Sequence, residues 1–159
     1  MSATMEIDIH ETLISFLRQY VSDPAGRGLS TWIIAAFPEI EYTKPAISVM
    51  EVAQTYRRER GHGYDGTIEG YRYQIDIFTS RRTVVEVLTK SYSGAHLMAY
   101  LSSQVKHALE QYGRTYFNTN LSNFVDLKMI LSNTRPYNEG AEEFQKTIGV
   151  IIEVERPKI

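Results

Sequence analysis

Between residues 71 and 80 the chain reads YRYQIDIFTS, and the strict alternation in this stretch limits what the protein can fold into more than any other feature. Side chains in a strand point to opposite faces with a period of two. Tyr71, Tyr73, Ile75 and Ile77 therefore share one face, and Arg72, Gln74 and Asp76 share the other. The first face belongs in a core. The second is expected to be wet, with Asp76 turned away from the main core, although Phe78 joins that side and leaves room for a contact surface.

Other segments supply partners for this strand. A long strand is expected after Pro45 in PAISVMEVAQTYRRE, with Ala46, Ser48, Met50, Val52 and Tyr56 on one side and Ile47, Val49, Glu51 and Ala53 on the other. Both sides are partly apolar, a pattern suited to a sheet with helices on one face and another subunit against the second. The charged excursion RRERGHGYDG lies between two extended segments and reads as a large hairpin tip. TVVEVLT has the character of a further short strand. Near the C-terminus FVDLKMILS places Val125, Leu127, Met129 and Leu131 together, and KTIGVIIEVE does the same for Ile148, Val150, Ile152 and Val154. The turn-rich NTRPYNEG between them is too short for a parallel crossover, so the pair should be antiparallel.

Two helices frame these strands. Asp8 and Glu11 form an approximate capping box, followed by Leu13, Phe16, Leu17 and Tyr20 at helical spacing, and Pro24, Gly26 and Gly28 end the pattern. A longer helix should begin after SYSG and stop before Gly113, with Leu97, Leu101, Val105, Ala108, Leu109 and Tyr112 as its apolar stripe and Ser102 on a wetter side. STWIIAAFPEI suits neither element cleanly, and its Trp32 reads as core or interface. The predicted fold is α+β: a mainly antiparallel β-sheet with the N-terminal helix and the long central helix packed on one face, in a single domain over residues 1–159. A chain of 159 residues with 43% hydrophobic and 23% charged residues is large enough for one filled core.

Chemistry is harder to find. The absence of cysteine removes disulfides, thiolate metal sites and thiol nucleophiles. A formal charge of -2 argues against a broad basic surface for nucleic acid, and no apolar run is long enough to cross a bilayer, so a soluble chain is expected. His62 and Asp65 in GHGYDG could meet as base and orienting carboxylate or as two metal ligands, but a flexible tip supplies neither preorganisation nor a third ligand. His96 and His107 stand about 16 Å apart along one helix, too far to share an ion. Asp76, Glu86 and Lys90 superficially resemble a metal-dependent nuclease set without its compact spacing. No phosphate-binding loop, dinucleotide fingerprint or nucleophile elbow is present. No catalytic, cofactor-binding or metal-binding residues are assigned, and no enzyme activity or cofactor is expected. YRRER is basic enough to touch phosphate or an acidic protein surface, with a solvated hairpin base or protein contact the stronger reading.

The strand YRYQIDIFTS, the later GAHLMAYLSSQVKHALEQYG and the pair FVDLKMILS to GVIIEVE together resemble the tail-terminator family of tailed bacterial or archaeal viruses, also called tail-completion or head-tail joining proteins. The resemblance spans about residues 8 to 155 and rests on element order. It implies a structural virion protein at the head-tail junction, assembled in the host cytoplasm, that forms a homohexameric ring. Such a ring stops polymerisation of the tail-tube protein and meets a head-tail connector or stopper protein, while DNA passes through its channel without specific binding and no membrane is involved. Arg72, Gln74 and Asp76 then become candidates for a channel or subunit contact. Arg57, Arg58, Arg60, His62, Tyr64 and Asp65 become a candidate protein-contact loop. SRRTVVEVLTKSYS departs from the shorter connection that the family leads one to expect. A neck or baseplate adaptor is the alternative, and a metal-dependent enzyme a more distant one.

Overall fold

The computed structural model describes residues 5–27, 32–35, 45–58, 66–131, 135–138 and 143–157. Helix α1 (Met5–Tyr20) is followed by β1 (Ile33–Ile34), β2 (Ala46–Arg58) and β3 (Gly66–Ser80). A small hairpin, β4 (Val85–Val87) and β5 (Lys90–Tyr92), leads into α2 (Gly94–Ala108), a π-helical turn at Leu109–Gly113, and α3 (Arg114–Asn120). Strands β6 (Phe124–Leu131), β7 (Arg135–Asn138) and β8 (Glu143–Pro157) complete the chain.

The main sheet runs β1-β2-β3-β8-β6, and β7 also pairs with β8. Every pairing in it is antiparallel except β1 with β2, which makes the sheet mixed. The α+β architecture read from the sequence is therefore present, with α1 and the long helical segment packed against the sheet. Its core is built from the predicted faces. Tyr71, Tyr73, Ile75 and Ile77 meet Ile148, Val150, Ile152 and Val154 under Leu13, Phe16 and Leu17 of α1 and Leu97, Leu101 and Val105 of α2. Each of these aliphatic side chains contributes about 1.5–3 kcal/mol by leaving water. Trp32 is buried in the same core, with the Arg27 guanidinium 5.8 Å from its ring centre.

Several local readings are corrected. Helix α1 begins at Met5, so Asp8 lies in its first turn, where the positive end of the helix dipole favours it, and does not cap the helix. Gly113 does not end the long helix. Its backbone is helical, with φ -58°, and the chain continues through the π turn into α3. A Cβ at this position would stand 2.6 Å from Leu127 Cδ2, so close approach to β6 explains the glycine. Ser102 is buried, and Tyr112, assigned to the core stripe, is half exposed and stacked on Tyr20 at 4.7 Å. A bulge between Glu51 and Ala53 shifts the register of β2, pairing Ala53 with Arg72 and so moving it away from the Glu51 face. A second bulge between Phe124 and Asp126 leaves Val125 exposed. Part of the expected turn before β8 is itself strand β7.

Helix-borne side chains bond to the outer edges of this sheet. Just past the end of β1, the Val49 carbonyl accepts a hydrogen bond from His10 Nε2 at 2.7 Å. The Ile33 carbonyl of β1 accepts one from Arg18 at 2.8 Å. On the opposite edge, Arg114 donates to the Leu127 carbonyl at 2.9 Å, while the Leu127 N–H donates to Asp126 Oδ1 at 2.8 Å. Arg114 and Asp126 also pair with each other at 3.3 Å. These particular backbone groups are thereby withheld from a foreign strand.

Candidate assembly surface

The sheet face opposite the helices carries the residues singled out on β3. Antiparallel register sets Asp76 between Ser48 on β2 and Thr147 on β8, and sets Gln74 between Met50 and Gly149. The expectation that Asp76 faces away from the helix-covered core holds, but the expectation of a wet environment does not: its exposure is 0%. Burial is tolerated because the carboxylate is satisfied locally. Oδ1 accepts hydrogen bonds from Thr147 Oγ1 at 2.6 Å and Gln145 Nε2 at 2.9 Å, and Oδ2 accepts one from Gln74 Nε2 at 2.7 Å. Three donors of this kind compensate the desolvation that an isolated carboxylate could not tolerate. Ser48, directly across from Asp76, is also buried, and its hydroxyl has no hydrogen-bond partner among the described residues.

The face is therefore divided. Ala46, Ser48, Asp76, Phe78 and Gln145 form a closed end. Farther along, Arg72 is exposed and Gln74 half-buried. Beside them, Gly149 is closely overhung by its neighbours, because a Cβ there would lie 3.3 Å from Ile130 Cβ, tighter than ordinary contact, and 4.0 Å from an Arg72 guanidinium nitrogen. Ile130 remains 44% exposed on the edge strand. Lys128 and Glu153 approach to 3.0 Å on neighbouring strands. This open end combines the exposed apolar Ile130 with the exposed cations Arg72 and Lys128, beside a largely buried Glu153.

The proposed contact loop lies mostly outside the described residues. Arg57 and Arg58 occupy the end of β2, paired in backbone register with Ile68 and Thr67, while Arg60, His62, Tyr64 and Asp65 lie outside the described residues. The long antiparallel pairing does establish that this segment joins two extended strands. Glu86 and Lys90 are exposed on the small hairpin, whereas the Asp76 oxygens are occupied by amide and hydroxyl donors, so the three do not make a metal-binding set. Among the described residues no group of three or more histidine, aspartate or glutamate side chains could hold a metal ion. Among the same residues no helix is long and apolar enough to cross a membrane.

Sequence reasoning missed Gln145, Thr147 and Gly149 as members of this face. The alternation in KTIGVIIEVE places Thr147 and Gly149 together, but only the strand register brings them to Asp76 and Gln74.

No protein-family profile and no curated protein matches the chain. Among solved structures, a chain from the virion of a native gene transfer agent particle has a similar fold, with TM-score 0.53 and 12% sequence identity. The likeness covers 98% of this chain and 100% of that one, so it is the architecture as a whole that the two share.

Proposed function

We propose that the chain is a structural virion protein that forms a ring, terminates tail-tube polymerisation and joins the tail to the head connector while leaving a channel for DNA. The observation that carries this reading is the end-to-end likeness in fold to a chain of a gene transfer agent virion. The element order that resembles tail terminators, and a sheet face with an open mixed apolar and charged end, are compatible with it.

The mechanism is one of geometry. A closed ring leaves no lateral subunit edge, one axial face complements the tube, and the other withholds the complementarity that would recruit a further tube ring. Arg72 and Gln74 would supply the channel or subunit contact, with Asp76 holding Gln74 in place from beneath. A chain with formal charge -2 presents few opportunities for the many phosphate contacts that would trap passing DNA.

Negative-stain electron microscopy of concentrated protein, together with mass in solution, tests the assembly. Closed six-fold rings that cap purified tubes are the expected result. Monomers that leave tube growth unchanged but bind another neck or baseplate protein would replace termination with an adaptor role.

A further inference from the structure

The β4-β5 hairpin carries an apolar side chain that its own fold does not use. Its two-residue loop requires positive φ at both central positions, as in a type I′ turn, and Leu88 has φ 50° and Thr89 φ 72°. Asparagine and glycine enter this conformation readily, whereas a bulky leucine and a β-branched threonine are disfavoured. Leu88 is nevertheless 91% exposed. The base of the hairpin is firmly held: Val85 is buried in the core, and Tyr92 stacks on Tyr100 of α2 at 5.5 Å. The tip is thus presented from an anchored base, and neither turn geometry nor the protomer's core calls for leucine there.

Charge indicates what receives it. Residues 81–92 contain Arg81, Arg82 and Lys90 against Glu86, giving this segment +2 within a chain of -2, so the remainder carries -4. All four of these charged side chains are exposed. We infer that Leu88 is a docking knob for a second copy of this chain, seating against the neighbour's surface while the basic hairpin faces the neighbour's acidic remainder. The contact is head-to-tail, since two hairpins of charge +2 repel one another, and repetition of such a contact closes a ring when the rotation permits. The inference rests on the self-assembly part of the proposed function and gives it a specific residue; it does not depend on tube termination.

Sedimentation velocity over a concentration series, combined with thermal melting, tests three proteins: the wild type, Leu88→Met, and the double variant Leu88→Asn with Thr89→Gly. The double variant supplies the residues that a type I′ turn prefers and removes the knob. It should melt higher than the wild type and self-associate about ten- to a hundredfold more weakly, the loss expected for one buried leucine. Leu88→Met should associate like the wild type, and added salt should weaken both. Undiminished assembly of the double variant would overturn the knob while leaving the ring reading intact. A lower melting temperature for that variant would overturn the strained-turn premise. A wild type that stays monomeric at the highest concentration would overturn the second copy as occupant, with tube capping judging the functional reading separately.

Discussion

Asp76 receives its hydrogen bonds from Gln74, Gln145 and Thr147, all neutral donors. Removing the acceptor strands buried donors, and removal is costlier than the net worth of any one bond. Asp76→Ala should therefore lower unfolding free energy by about 2–3 kcal/mol in urea titration, with Thr147→Val losing about 1 kcal/mol. A buried aspartate was not legible in YRYQIDIFTS because alternation reports which face a side chain takes, not what covers that face. Asp23 offers a separate test. Burial, the largest single influence, works to raise its carboxyl, but the side-chain hydrogen bond from Arg27, the Ala25 N–H, and the charge and N–H of Arg27 together hold it below the ordinary carboxylate value. The resulting stabilisation is complete above the unfolded-state value and is lost as pH falls through the depressed folded one. Asp23→Asn should make the urea midpoint less sensitive to pH in that acidic window. An unchanged slope between pH 2 and 6 would count against the assignment.

At the scale of elements, the sheet strands were readable where alternation is uninterrupted, as in β3 and the core half of β8. Bulges at Val52 and Val125 were not, since one extra residue inverts the facing of every later position in the strand without leaving a compositional mark. Gly113 misled for a related reason: glycine reads as a helix stop, yet here it admits β6. Gly113→Ala gains helix propensity of up to about 1 kcal/mol but crowds Leu127 at a cost of about 1–3 kcal/mol, so a net loss of about 1 kcal/mol is expected from chemical denaturation. The edge of β6 makes a different prediction. The Arg114 and Asp126 pair is substantially exposed. Its direct contribution to stability is small, within about 1 kcal/mol. Replacing both with alanine should leave the melting temperature nearly unchanged while lowering the concentration at which light scattering detects aggregation, because the Leu127 N–H and carbonyl lose their partners.

For the whole molecule, the N-terminal helix and the central helical segment share one core with the sheet, which predicts a single cooperative unfolding transition. The chain's one tryptophan, Trp32, is buried in that core and reports its opening by fluorescence. Coincidence of this signal with far-UV circular dichroism across a denaturant series would support one folding unit, and two separated midpoints would divide the chain. The α+β class was legible because periodicity and turn chemistry are local. The candidate surface was legible only in outline, since Gln145 and Thr147 reach Asp76, and Gly149 reaches Gln74, through pairings between distant segments. The side chains that occupy the sheet edges come mostly from α1 and α3: His10, Arg18 and Arg114. Helix docking and protection of the sheet consequently share one fate. A fluctuation that lifts a helix bares apolar core and strand edge in the same event, so the hazardous species is a nearly folded chain with a detached helix, and tightening the helix interface should suppress clumping even where global stability hardly changes.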